Sequence, residues 1–193
     1  MTSRQKAKGN SWEREVAKYL TDTYKEPFHR IVNSGAYVGG TNSFRKSQLD
    51  THQGKSFRGD INAPDSWPHF NCEAKSYADI AFHQFYTGCS QLEGWLEQLM
   101  QVAEPGDVNI LFMKITRKGR FIAVQSSLSW VKNASYTVYN SRTCGSWLIY
   151  NFENFFADNI SKLKQFSIFG TQPRPLISKQ TLNSTPNIVT LQT

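Results

Sequence analysis

The stretch RGDINAPDSWPHFNCEAKSY, residues 58–77, narrows the choice of fold more than any other part of the chain. A turn built on Pro64, Asp65 and Pro68 separates two short apolar segments, so both read as strands. In the second, HFNCEAKSY, side chains alternate between two faces. Phe70, Cys72 and Ala74 form an apolar set that must pack on a helix. Asn71, Glu73 and Lys75 form a polar set that must look into a cleft or solvent. Glu73 and Lys75 then lie about 6.6–6.8 Å apart along one face. Asp60 opens the preceding strand, across the expected hairpin.

Two carboxylates brought together repel, and one is driven to hold a proton unless a cation sits between them. A divalent ion with oxygen ligands removes the conflict, as Mg²⁺ does when bound through one or two carboxylates plus waters and phosphate. Such an ion polarises a phosphate and activates water. An ammonium beside it, Lys75, can serve that water or steady the charge on the phosphoryl oxygens. This is the chemistry of phosphodiester hydrolysis. An acid-x-Lys triplet arises by chance roughly once or twice in a chain of this size. Glu73-Ala74-Lys75 is the only one in these 193 residues, and it falls in the best candidate for a central strand.

The rest of the chain supplies a scaffold. GNSWEREVAKYLTDTY reads as a helix capped by Asn10 or Ser11, with Glu13 in its first turn and Trp12, Val16, Tyr19 and Leu20 on an apolar stripe. Glu15 reads as solvated. FHRIVN is a strand candidate. The polar, Gly- and Ser-rich segment that follows, residues 34–59, reads as a long functional loop. TGCSQLEGWLEQLMQVAEPGD is a second helix with Leu92, Trp95, Leu96 and Leu99 on its buried face. NILFMKIT and RFIAV form a hairpin around RKG. SSLSWVKN reads as a short helix, YTVYN and SWLIYN as strands, and FENFFADNI as helical. The order predicts an α/β fold, a mixed central sheet flanked by helices. One domain is expected over 1–170, with a polar, Pro-containing arm over 171–193 that is extended or disordered.

The net charge is +7, and residues 1–60 carry +5 of it. A basic N-terminal third suits a polyanion, since each neutralised phosphate releases counterions. Arg4, Lys6, Lys8, Arg45, Lys46, Lys55 and Arg58 are candidate phosphate contacts. No apolar run is long enough to cross a bilayer, and the N-terminus lacks a signal-peptide core, so a cytoplasmic protein is expected. Cys72, Cys89 and Cys144 lack zinc-ligand spacing and read as reduced thiols. The four histidines show no paired spacing. The Trp and Phe residues of 127–169 read as core or subunit contact.

The order of a helix Glu, then Asp, then Glu-x-Lys resembles the PD-(D/E)xK nucleases of restriction-endonuclease-like fold. Within them it is most similar to archaeal- and phage-type Holliday junction resolvases. The matching stretches are KAKGNSWEREV, RIVNSG, GDINA, NCEAKS, SQLEGWLEQL and NILFMKI, spanning about residues 4–124. The resemblance implies that Glu13, Asp60 and Glu73, with the Ala74 carbonyl, hold Mg²⁺ (Mn²⁺ substituting), and that Lys75 serves the attacking water. It places Arg30 and Ser34 near the scissile phosphate and makes Gln91, opening the second helix, an accessory candidate. It also implies a homodimer that nicks branched DNA in recombination or repair, and a phage origin in a host cytoplasm. Two alternatives stay open: a related nuclease acting on duplex ends, flaps or a specific site, and a non-catalytic DNA-binding module. Gly59 stands where the family motif has Pro, and residues 125–193 have no counterpart.

Overall fold

The computed structural model describes residues 3–31 and 59–171. Helix α1 spans Ser3–Tyr24, and short strands β1 (His29–Arg30) and β2 (Ile61–Asn62) pair antiparallel into a ribbon. Strand β3 (Phe70–Tyr77) follows, then a 3-10 turn (Phe82–Tyr86) and helix α2 (Ser90–Gln101). Strands β4 (Val108–Ile115), β5 (Gly119–Gln125), β6 (Tyr136–Ser141) and β7 (Gly145–Asn151) precede helix α3 (Phe152–Phe169). The five-stranded sheet has the order β3-β4-β5-β7-β6, with β3 parallel to β4 and every other neighbour antiparallel. This is the mixed, helix-flanked sheet of a restriction-endonuclease-like fold, as the element order predicts.

Each face of the sheet carries its own core. On one face, Phe70, Cys72 and Ala74 of β3 pack with Trp12, Val16 and Leu20 of α1 and with Phe152, Phe155 and Phe156 of α3. The Trp12 indole donates to the Phe112 carbonyl at 3.3 Å, fixing α1 on the sheet. On the other face, Leu92, Trp95, Leu96 and Leu99 of α2 cover Leu111 and Met113 of β4. Strand β4, paired on both edges and covered on both faces, is apolar in nearly every position, as a fully buried strand must be. The aromatic residues of 127–169 are mostly core: Trp130, Trp147, Phe152, Phe155 and Phe156 are all buried. Cys72 and Cys89 are buried free thiols and Cys144 is a half-buried one.

Four local expectations are corrected. Helix α1 begins at Ser3, so Asn10, Ser11 and Glu13 lie inside it and neither a cap nor the helix dipole explains Glu13. β2 pairs with β1 rather than forming a regular hairpin with β3, and β3 is an edge strand of the five-stranded sheet, not a central one. Residues 126–134 form no helix: the Asn159 side chain accepts from the Val131 N–H and donates to its carbonyl, giving that backbone partners while extended. Glu15 is not solvated alone but ion-paired to Lys114 at 2.5 Å and Arg120 at 3.0 Å.

Candidate active site

The site forms where the β1–β2 ribbon meets the edge of β3. Asp60 is tied to that edge twice. Its N–H donates to the Cys72 carbonyl at 3.1 Å, and its carboxylate accepts the Ala74 N–H at 2.8 Å. A strand residue points its N–H and C=O to the same side, so the Ala74 carbonyl also faces the ribbon. Gly59 makes the approach feasible. It has φ of +68°, and a Cβ there would lie 2.2 Å from the Cys72 carbonyl oxygen, so neither Pro nor any other side chain fits this backbone.

Glu73 and Lys75 project from the α2 face of β3, as the alternation predicts, but into a covered pocket rather than open solvent. Glu73 is only 4% exposed. Lys75 Nζ lies 2.5 Å from Glu73 Oε1 and donates to Gln98 Oε1 at 2.8 Å, while Gln98 Nε2 donates to Glu73 Oε1 at 2.7 Å. Burial, and then the Asp60 carboxylate within hydrogen-bonding reach, push Glu73 from its ordinary 4.5 up to about 8; the Lys75 ammonium only partly offsets them. The Asp60 and Glu73 carboxyl groups therefore converge, with the Lys75 ammonium held against Glu73.

Glu13 approaches from α1. Burial raises its pKa, a hydrogen bond from Arg30 opposes this, and the Asp60 carboxylate adds to the rise. The Arg30 guanidinium donates to Glu13 and, at 2.7 Å, to Asn10 Oδ1, so it neutralises the helix acid instead of standing free. The structure thus brings Asp60, Glu73 and Lys75 together with Glu13 in electrostatic reach. Among the described residues, no group of three His, Cys, Asp or Glu side chains closes into a metal cage. Ser34, Arg45, Lys46, Lys55 and Arg58 lie outside the described residues, as do the side chains of Arg4 and Lys6; Lys8 is exposed on α1.

Gln91 is not the glutamine of this site. It lies beside Asp79, Phe82 and Lys118, and Gln98 reaches Glu73 instead. The reason is helix direction. α2 returns antiparallel to β3, so its start lies past the end of β3 and its last turns come back over Glu73. Gln98 is exactly one heptad beyond Gln91 on the same helix face, a spacing legible in SQLEGWLEQL once that direction is known.

A family model described as "Phage putative PDDEXK endonuclease" matches residues 4–166. The chain belongs to this family of PD-(D/E)xK nucleases, and the match covers both the site and the sheet built around it. No curated protein and no solved structure matches the chain significantly. Among the described residues, no helix is long and apolar enough to cross a membrane.

Proposed function

We propose that the protein is a divalent-metal-dependent DNA endonuclease, and that its preferred substrate is branched DNA of the Holliday junction type. The observation that carries the nuclease reading is the convergence of the Asp60 and Glu73 carboxyls, with Glu73 pushed to about 8 and Lys75 held against it. Two buried carboxyl groups brought together are an oxygen donor set that suits a hard cation. Asp60 and Glu73 would hold it, with the Ala74 carbonyl on their side and Glu13 adding negative charge. Bound there, Mg²⁺ or Mn²⁺ supplies Lewis-acid polarisation of the phosphate and a more acidic water.

The chain's own residues do the remainder. Gln98 bridges Glu73 and Lys75 and fixes both side chains. Lys75 would orient the attacking water and steady charge on the phosphoryl oxygens as the water oxygen adds to phosphorus, the ester P–O bond breaks and the water's proton passes to the departing oxygen. Arg30 donates to Glu13 at the edge of the site and opposes the rise that burial imposes on it. Selection of branched DNA, and a homodimer presenting two sites to opposed strands, are supported by the sequence resemblance of residues 4–124.

The test is cleavage of a labelled four-way junction and its matching linear duplex, in Mg²⁺ and in EDTA, by wild type and Asp60→Asn. Paired, Mg²⁺-dependent nicks in the junction alone, lost in the variant, are the expected result. Cutting of both substrates removes the junction preference and keeps the nuclease. Binding without cutting removes the enzyme and leaves a DNA-binding module.

A further inference from the structure

The α2 face of the sheet holds a row of amide side chains that its apolar core does not call for. Asn71 of β3 stands opposite Asn109 of β4 in the register, and both are buried. Asn71 Nδ2 donates to Asn109 Oδ1 at 2.7 Å, and Asn109 Nδ2 donates to Gln125 Oε1 of β5 at 3.1 Å. The same face carries the core of Leu92, Leu96, Leu99 and Leu111, where an apolar side chain would leave no polar atom to satisfy. Asn71 does leave one: its Oδ1 is buried and meets no donor among the described residues. An acceptor in that state counts against folding, so the reason for an amide here lies at its donor end.

What the donor end does follows from how α2 stops. The last four carbonyls of a helix have no partner within it. The last turn of α2 has no basic side chain, and Val102 follows it in a right-handed conformation, where a glycine cap would turn left-handed. The Leu99 carbonyl is one of those four, and it accepts a second bond from Asn71 Nδ2, at 3.2 Å. A strand amide thus pins the final turn of the helix to β3. The pinned residue is next in sequence to Gln98, whose amide joins Glu73 at 2.7 Å and Lys75 at 2.8 Å. By strand alternation Asn71 shares the face of Glu73, about 6.6–6.8 Å before it. Apolar packing is non-directional, whereas reacting groups must be held to about 0.5 Å, and a directional bond supplies what packing does not.

We propose that Asn71 is a positioning residue, which acts through the Leu99 carbonyl to hold Gln98 against Glu73 and Lys75. The proposal rests on the nuclease reading for its effect on cleavage; its effect on Gln98 is independent of that reading.

The test uses the full chain and two variants. Asn71→Leu/Asn109→Leu replaces both buried amides together, so that neither is left half-met. Asn71→Ser shortens the donor alone and serves if the paired change unfolds the protein. In the metal-free protein without DNA, either variant should move the Gln98 side-chain NH₂ resonances to free-amide shifts and remove their exchange protection. In single-turnover cleavage with Mg²⁺, either should be about fivefold slower per folded molecule than wild type. Added to Gln98→Ala, neither should slow cleavage further, because both changes act through one contact. Unmoved Gln98 resonances overturn the proposal, as do rate losses that multiply. A variant that loses stability while its rate per folded molecule stays at the wild-type value gives Asn71 a structural role only, and also overturns it. Gln98 resonances that move in a protein whose wild type cuts no DNA uphold the positioning and remove the nuclease reading, so the two fail separately.

Discussion

Glu73 and Glu93 are both buried glutamates beside α2, yet their surroundings drive them in opposite directions. Burial raises Glu93 too, but the Ser141 and Tyr139 hydroxyls and the Arg142 N–H donate to it and hold its carboxyl below the usual range. That carboxylate is fully answered by the protein and clamps α2 to the β6–β7 turn. Glu73 meets another carboxyl, one ammonium and one amide, and stays above its usual range. The first acid is answered by hydroxyl and backbone donors, while the second keeps its proton well into the neutral range. Buried carboxylates are thus told apart by who answers them, not by depth.

The widest separation between the two is expected in activity. Glu73→Gln should lower cleavage on the order of a thousandfold while leaving the fold intact or firmer, read by single-turnover cleavage and urea denaturation. If the variant cuts at the wild-type rate, the acid pair is not catalytic. Glu93→Gln should do the reverse. It should cost about 2 kcal/mol of stability by loss of hydrogen bonds to a charged group, with cleavage per folded molecule within a few-fold of wild type. A large activity loss in a fully folded Glu93 variant would erase the distinction. Gln98→Ala should fall between, slowing cleavage about tenfold, because Lys75 and Glu73 lose the amide that sets their geometry.

The smallest and most diagnostic difference is in pH dependence. Glu73 binds its proton more tightly folded than unfolded, so the metal-free protein should lose stability from this group as pH rises from 4.5 to about 8, by at most about 1.4 kcal/mol per pH unit. Glu93 binds its proton less tightly when folded, so its contribution should be lost as pH falls below the ordinary glutamate value. Denaturation midpoints of Glu73→Gln and Glu93→Gln across pH 4–8 should lose the alkaline-side and acid-side slopes respectively. Mg²⁺ should remove the former in wild type only.

The strand carrying Glu73 and Lys75, the α1 stripe and the β4–β5 hairpin were all readable from the sequence because each rests on local alternation or helical spacing. What could not be read depended on partners distant in sequence. β2 finds β1 instead of its neighbour β3, which no local pattern encodes. Glu15 is answered by Lys114 and Arg120, about a hundred residues on. The apparent cap at Asn10 misled because the helix continues through it to Ser3, and Asn10 serves Arg30 instead. Gln98 was hidden behind Gln91 because spacing gives the helix face but not the direction in which the helix returns over the sheet.

The bond from the Ala74 N–H to the Asp60 carboxylate carries a consequence for how the site comes into being. An edge strand exposes alternate amides to solvent, and here one of them is covered by the Asp60 carboxylate of the candidate site. Docking of the ribbon and completion of the acid pair are then a single event. The hydrogen-exchange rate of one backbone amide, that of Ala74, would report how often the site comes apart in the native protein, and Asp60→Asn or a bound cation should each change that rate without global unfolding.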